Sequence, residues 1–379
     1  MKKYLFLSAV AAIFSSVEPC SAADIRMQTG LMFDWWADNQ ISDVRQVSVP
    51  FTVTGQINDF SFKLLTAYTD TRLERSGTAG NSSLGHLLDT KLCTSYQIVD
   101  KLPVDILLGL DFNLPTGKTD LRQRNLALIM DPDLVSINNF GEGLDVNPTI
   151  TFAKEWGNWV AGVGFGYLWR GSYDFSKEIN ITDYQPGDIY NFNAELRYFF
   201  SPDMYARLFG SHAWYGPDTV RGRNYFQEGD FSQFGFGMNY NQEKKWEAGL
   251  TFRGILRDKI RFQNSPGVLV TESNDRQGDE WVLDLAGKYL LDEKTVLSSN
   301  IQGRYFTHND YATTSPFYVG AREKLSLGLG VTRALGTNFE AGLDVKGFLK
   351  HDDQKNFPQV LTSRDFRGIS VSLMFAGSF

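Results

Sequence analysis

The chain has 379 residues, of which 14% are aromatic and 35 are glycine, and its formal net charge at pH 7 is −7. This mildly acidic balance gives no basis for nucleic-acid binding, so no nucleic-acid partner is expected. No stretch approaches eighteen consecutive apolar residues, which excludes helical membrane spans.

The N-terminal residues have the form of a Sec signal peptide. Two lysines precede an apolar run that is too short to span a membrane, and small residues follow it in the stretch CSAAD. We therefore divide the chain into a signal peptide at 1–22 and one exported domain at 23–379. Cleavage leaves Cys93 as the sole cysteine, so an intramolecular disulfide is excluded.

The stretch VDILLGLDFNL, residues 104–114, alternates apolar side chains with acids and small polar residues, as in a β-strand with one apolar and one wet face. A polar connection follows at 116–142, far longer than a hairpin needs. Its apolar centre, 126–130, would cost about 25 cal/mol per Å² of apolar surface if left in water. If strands of this kind close into a barrel, three places are open to this apolar centre. We expect it to pack at the mouth of the barrel lumen, on a partner protein, or as a short helix on the barrel rim.

Charged side chains flank this apolar centre. Arg122 and Arg124 precede it, and Asp131 and Asp133 follow it. These four residues are the candidates for a constriction. If the connection folds inward it narrows a pore, and the two arginines are then expected to face acids of the neighbouring strands, Asp111 or Asp145.

The clearest strand is NWVAGVGFGYLWRG, residues 158–171. Its apolar side chains recur at every second position, whereas glycines in a helix would cost about 1 kcal/mol each relative to alanine. Trp159 and Trp169 lie ten steps apart on the apolar face. At about 3.3 Å per step and a tilt of about 40°, they span about 25 Å, the height of the apolar band of an outer-membrane barrel. We predict that they mark the two lipid interfaces and that the glycines face the lumen.

Later stretches repeat this alternation, notably 246–257, 280–289 and 338–350. Trp246 and Trp281 join the predicted interface aromatics. Charged side chains on the opposite face cost little if they face a wet lumen but several kcal/mol each if buried unpaired in a soluble core. The predicted pore-lining residues are Arg170, Glu195, Arg197, Arg253, Asp284, Lys288 and Lys346.

Short and long connections alternate along the chain, and the long polar ones include 72–87, 217–230 and 263–278. This alternation predicts a single-chain barrel with short turns at one end and long loops at the other. Seven turns and eight loops imply an all-β fold, a transmembrane antiparallel up-and-down barrel of about sixteen strands, with fourteen to eighteen possible. The last strand ends at Phe379, which resembles the signal read by the outer-membrane barrel assembly machinery. Outer-membrane lipid and that machinery are the expected partners.

Three stretches resemble a known family: LGLDFNLPTGKTD, GEGLDVNPTITFAKEW and GVGFGYLWRGSYDF. With Pro-Thr-Gly at 115–117 and Tyr-x-Trp-Arg-Gly at 167–171, they resemble outer-membrane transporters of the MetA pathway of phenol degradation. That family is related to the wider group of fatty-acid and aromatic-hydrocarbon channels. The resemblance covers about residues 100–175. The sequence departs from the fatty-acid channels because alternation begins at about Ile25, which leaves no room for an N-terminal plug, and because those channels have fourteen strands.

Catalytic and metal chemistry finds little support. The four histidines, His86, His212, His308 and His351, have no serine or aspartate partner at a diagnostic spacing and no spacing typical of metal ligands. We therefore expect no enzyme activity, no metal and no cofactor.

The sequence thus predicts a porin-like channel in the outer membrane of a Gram-negative cell, for passive diffusion of small solutes. Alternatives are a channel for hydrophobic or aromatic compounds, a barrel sheath around a separate cytochrome in an electron-transfer conduit, and a barrel enzyme. The near-balance of charge along the predicted lumen favours neither anions nor cations. The oligomeric state is left open.

Overall fold

A computed structural model gives the fold. The structure describes residues 24–379 apart from 40–42, 75–80, 129, 139, 175, 177, 179–180, 243–244 and 356–361. The predicted signal peptide therefore lies outside the described residues. No helix within the described part is long and apolar enough to cross a membrane.

The described residues form twenty-two strands and one 3-10 helix, η1 (Gln123–Leu128). The strands are β1 (Asp24–Asp38), β2 (Asp43–Ile57), β3 (Phe60–Glu74), β4 (Ser82–Leu87), β5 (Thr90–Ile98), β6 (Asp105–Leu114), β7 (Asp145–Trp156), β8 (Trp159–Arg170), β9 (Tyr184–Gln185), β10 (Ile189–Ser201), β11 (Met204–Tyr215), β12 (Asp218–Val220), β13 (Arg223–Gln227), β14 (Phe231–Gln242), β15 (Trp246–Arg257), β16 (Arg261–Ser265), β17 (Val268–Thr271), β18 (Glu280–Asp292), β19 (Thr295–Phe306), β20 (Arg322–Ala334), β21 (Phe339–Asp352) and β22 (Arg364–Ser378).

Seventeen of the described strands pair into one antiparallel sheet, and this sheet closes because β1 pairs with both β2 and β22. Both β4 and β5 pair with β3, so together they occupy one place in the wall. The result is a closed barrel of sixteen strands, as the sequence predicts. Closure leaves no sheet edge, so every spanning strand finds its hydrogen-bond partners within the wall.

Short turns and both described ends of the barrel chain lie at one end, here called the turn end, and the long connections lie at the other, the loop end. Two tight turns contain residues in the left-handed conformation, Asn58 with φ 52° and Gly157 with φ 58°. Asparagine and glycine tolerate positive φ, which two-residue hairpins require.

The outer surface of the barrel is apolar, as the period-two pattern predicts. Phe165 is 49% exposed and Leu250 lies on the same surface, whereas the alternate residue Val160 is buried. Neighbouring strands keep this register: Phe165 is opposite Ile150 on β7 and Phe192 on β10. Apolar side chains around the belt can therefore face lipid while polar ones face the interior.

The predicted loop boundaries need correction at the loop end. Stretches read from sequence as polar loops, 72–87, 217–230 and 263–278, contain the strands β4, β12, β13 and β17. Two short hairpins, β12–β13 and β16–β17, join β9 in a separate five-stranded sheet. Its pairings link residues of different loops, such as Phe226 with Phe262, which no local sequence pattern can indicate.

Candidate functional site

Residues 115–144, here called the mouth loop, join β6 to β7 and contain η1. Asp133 in this loop pairs with Arg304 on β19, and Asp131 pairs with Arg322 on β20 at 3.1 Å. These strands lie far around the barrel from β6 and β7. A loop can reach them only through the lumen, so the mouth loop lies inside the loop end of the barrel.

The apolar part of the mouth loop packs against the inner wall. Leu128, Met130, Leu134 and Val135 are all buried, and they form one cluster with side chains from the wall strands β1, β2, β3, β21 and β22. The wall members of this cluster are Trp36, Val44, Leu73, Phe348 and Phe366. Of the three expected arrangements, the loop thus adopts packing at the lumen mouth, and its short helix lies within the mouth instead of on the rim.

Two aspartates of the mouth loop enter a network of basic side chains on the wall. Asp133, with only 4% of its side chain exposed, contacts Arg304 and lies 3.7 Å from Lys324 Nζ. Asp131 lies 3.5 Å from Lys350 Nζ. A buried carboxylate is tolerated only with such charged partners, so these pairs fix the loop's position.

The charge network lowers the pKa of Asp131 below its ordinary 3.8. Burial raises the pKa of this carboxyl, but the nearby ammonium of Lys350 and the backbone N–H of Asp133 lower it. Arg322 and Arg304 lower it further, so the ionised form dominates in the docked loop.

Two further aspartates hold the loop at other points. The Asp89 carboxylate accepts hydrogen bonds from the backbone N–H groups of Gly117 and Glu142, both at 2.7 Å, so it ties the two stems of the loop together. Asp34 on β1 accepts from the Ser136 N–H at 3.1 Å and from its hydroxyl at 2.8 Å. Neither acid could be identified from the sequence, because each holds the loop through contacts with a segment far away in the chain.

The two arginines of the predicted constriction do not join the network that Asp131 and Asp133 form with the wall, as far as the structure describes them. Arg122 is exposed, and the side chain of Arg124 lies outside the described residues. Asp111 instead receives a hydrogen bond from Asn147, and the arginine near Asp145 is Arg170. The expected pairing of loop arginines with strand acids is therefore wrong for Arg122: the ion pairs run from loop acids to wall bases.

A second feature lies halfway down the inner wall, away from the mouth loop. Six neighbouring wall strands, β7, β8, β10, β11, β14 and β15, line a cavity of about 310 Å³ there. Among its lining residues are Glu195, Arg207, Phe209 and Arg253. We call this the wall cavity. The period-two alternation predicts Glu195, Arg207 and Arg253 as inward-facing charges, whereas Phe209, on the same face of β11 as Arg207, was not predicted.

Basic side chains outnumber acidic ones at the wall cavity. Glu195 contacts the buried Arg197 directly and lies 3.5 Å from Arg207 Nη1. The guanidinium of Arg207 also lies over the Phe209 ring, 4.9 Å from its centroid. Arg253 makes no hydrogen bond or ion pair with any described residue, and its Nε is buried. Two guanidinium groups thus share the Glu195 carboxylate, and the third, that of Arg253, lies on the same wall without an acid of its own among the described residues.

The other predicted pore-lining residues are spread over the inner wall. Arg170 ends β8 at the loop end, and its N–H donates to Asp188 at 3.0 Å. Asp284 accepts from Gln302 at 2.6 Å, and Lys288 pairs with Glu247 at 2.9 Å. Lys346 on β21 lies opposite Ser370. These side chains occupy inward positions on separate strands, and their part in conduction stays a prediction.

The predicted interface tryptophans lie on the outer surface. Trp159 stacks obliquely on Tyr198 with ring centroids 4.7 Å apart, and Trp246 does the same with Tyr289 at 4.5 Å. Trp169 is partly exposed on the same face of β8 as Trp159, and Trp281 stacks on Phe252. Their contact with lipid headgroups stays a prediction. Among the described residues, no three His, Cys, Asp or Glu side chains are grouped so as to hold a metal ion.

Comparison with known proteins gives one family. A family model described as "Putative MetA-pathway of phenol degradation" matches residues 28–256. No curated protein matches the chain.

Several solved structures are similar to it. One is a loop L8 deletion mutant of OmpT from Vibrio cholerae, with 13% identity and a TM-score of 0.38, covering 93% of this chain and 99% of that one. Another is a triple mutant of the Rhodopseudomonas blastica porin, with 10% identity and a TM-score of 0.33, covering 94% and 99%. The P. putida toluene transporter TodX has 7% identity and a TM-score of 0.45, covering 95% and 91%.

Proposed function

The chain belongs to the family described for the MetA pathway of phenol degradation, and from this premise we propose that it is an outer-membrane channel for the passive diffusion of small solutes. The observation that carries the proposal is the division of each spanning strand into an apolar outer face and a polar inner face around a closed wall. A polar lumen is what a diffusion channel requires.

The mouth loop is the element proposed to set the width of the channel. It crosses the lumen at the loop end, where Asp131 and Asp133 attach it to Arg304 and Arg322 on the wall. Acids and bases both line the interior, so we propose a channel that admits ions of either sign, with local sites instead of a uniform potential deciding preference.

Deletion of residues 122–135 tests this proposal in planar bilayers. The shortened protein should form a channel of clearly higher single-channel conductance while keeping its heat-modifiable migration, the sign of a closed barrel. The double substitution Asp131→Asn with Asp133→Asn should raise conductance in the same direction without shortening the chain. Lys91→Gln, on the inner face of β5, serves as a single-charge control that leaves the mouth loop docked. Unchanged conductance in both loop variants would contradict a constriction by the mouth loop.

Aromatic compounds are a second candidate solute class, favoured by the family's description and by the aromatic side chains at the mouth. Trp36 and Phe366 form part of the apolar cluster there, with ring centroids 5.8 Å apart. The docked mouth loop covers this cluster, so an aromatic solute could pack against it only when the loop leaves the mouth.

Swelling of proteoliposomes separates the two candidates. Glucose and phenylalanine have similar masses, and neither crosses lipid readily. A size-limited channel should admit both at comparable rates, whereas an aromatic-selective channel should admit phenylalanine several times faster. Protein-free liposomes give the baseline for each solute.

A further inference from the structure

We propose that the wall cavity is a binding site for a small aromatic carboxylate, a solute with one ring and one negative charge. This inference rests on the proposed function, because the cavity opens into the lumen of the channel. It names the chemical class for which that lumen has a specific site.

Glycines on β14 make room for two of the side chains that line the cavity, Arg207 and Phe209. A Cβ at Gly237 would lie 2.8 Å from Arg207 Nε, and one at Gly235 would lie 2.5 Å from the tip of the Phe209 ring. Both side chains therefore lie flat along the wall, across β14. The guanidinium of Arg207 and the ring of Phe209 therefore line the same cavity side by side.

Charge then defines the ligand. Arg197 is only 3% exposed and contacts Glu195, so this pair is nearly neutral seen from the lumen. Arg207 and Arg253 remain, so positive charge is in excess among the side chains that line the cavity. Within the part of the chain that the structure describes, the hydrogen bonds of the Arg207 guanidinium are long, 3.5 Å to Glu195 and 3.5 Å to the Thr251 hydroxyl. Guanidinium groups donate paired N–H bonds to carboxylates, so an anion would complete these donors.

Shape and lining define the rest of the ligand. A volume of about 310 Å³ is at the low end of ligand pockets and suits a molecule with a single ring. Phe209 offers an aromatic contact beside the guanidinium of Arg207. The hydroxyl of Ser211 and the amides of Asn193 and Gln233 also line the cavity and can bind a second polar group.

Calorimetry on the full, detergent-solubilised barrel tests the site with benzoate as the probe. Wild type should bind benzoate more tightly than acetate, inorganic phosphate or the neutral analogue benzyl alcohol. Arg253→Gln should weaken benzoate binding by about tenfold or more, the loss of one charge-assisted hydrogen bond. Arg253→Lys should weaken it by less, because it keeps the charge but loses the paired donors. Phe209→Leu should remove the advantage of benzoate over acetate.

Lys91→Gln is the matched control, because it also removes one inward positive charge but from β5, outside the cavity. It should change benzoate affinity by less than about twofold. Heat-modifiable migration shows that each variant is folded. Equal losses in Arg253→Gln and Lys91→Gln would overturn the site and assign the effect to the general charge of the lumen. Acetate or phosphate binding as tightly as benzoate would equally overturn it.

The same protein in planar bilayers separates this inference from the proposed function. Benzoate binding without ion conductance would support the site and contradict a passive channel. Conductance without benzoate binding would support the channel and overturn the site.

Discussion

Inward-facing glycines leave room for long side chains to lie flat along the barrel wall. At Gly164 on β8, a Cβ would come within 2.6 Å of the Asn193 amide oxygen. The alternation of glycine with Val163 and Phe165 therefore shapes both the outer and the inner face of the strand. The outer face fills the space towards lipid, and the inner face yields space to neighbouring polar side chains.

Phe165→Arg tests the outward register. Phe165 is among the most exposed residues of β8 and packs on Phe192, with ring centroids 5.2 Å apart. An arginine near the bilayer midplane should destabilise the folded barrel by about 2–4 kcal/mol. Urea titration of the protein in liposomes measures the change. Phe165→Leu should cost far less, and a similar small cost for arginine would show that the site faces water.

Asp133→Asn tests the anchoring of the mouth loop. The substitution leaves Lys324 and Arg304 with one carboxylate fewer in a nearly dry position. Removing one partner of a buried pair costs about 3–5 kcal/mol, and we expect the lower end because Arg304 keeps Glu280 at 2.6 Å. The loop should detach before the barrel unfolds.

Hydrogen exchange of the mouth-loop amides measures this detachment. Protection should fall in Asp133→Asn and stay unchanged in Asp70→Asn, which breaks an exposed pair with Arg72 worth at most about 1 kcal/mol. Equal protection in both variants would mean that the apolar cluster alone holds the loop.

The mouth loop should respond to acid but not to mild changes of pH. Because the pKa of Asp131 in the docked loop lies below 3.8, its charge stabilises docking above the unfolded value. That stabilisation is lost as pH falls through the lowered folded value. Conductance should therefore be constant from neutral pH to about pH 4 and rise below it. Asp131→Asn should abolish this acid step, and a step centred near pH 6 would assign the response to another group.

The strands and their faces could be predicted from sequence, because period-two alternation is a local property. The partners of the mouth loop could not. Asp131 and Arg322 are 191 residues apart, and nothing near either one indicates the other. The same holds for the five-stranded sheet at the loop end, whose short strands pair between different loops. In the wall cavity, the alternation on β15 predicts Arg253 as an inward-facing base. That no described acid pairs with it depends on how β10, β11 and β15 lie side by side, which the sequence does not indicate.

The two ends of the described chain meet at the turn end and complete the wall. The Phe379 N–H donates to the Ile25 carbonyl at 2.8 Å, and the Ile25 N–H donates to the Phe379 carbonyl at 3.2 Å. The Phe379 ring itself is 62% exposed and contacts Phe339 edge-on, with ring centroids 6.0 Å apart. Its side chain therefore adds little to the packing of the finished barrel.

Phe379→Ala separates assembly from stability. We expect the variant to refold in detergent with nearly the wild-type urea midpoint, because the ring is exposed. In cells, the folded fraction seen by heat-modifiable migration should fall severalfold if the assembly machinery reads this residue. An equal loss in detergent and in cells would reduce Phe379 to a structural role.

The route of the mouth loop imposes an order in time on the making of the barrel. The loop adjoins β6 and β7, but the ion pair of Asp133 cannot form before Arg304 is in place, and Arg304 follows 171 residues later in the chain. The hydrogen bond from the Ser370 hydroxyl to Asp34 forms even later, because these two residues are 336 positions apart in the chain. Contacts of such long range form late in folding. The mouth loop can therefore settle only after the last strands arrive, and every newly made barrel passes through a stage in which its entrance is wide.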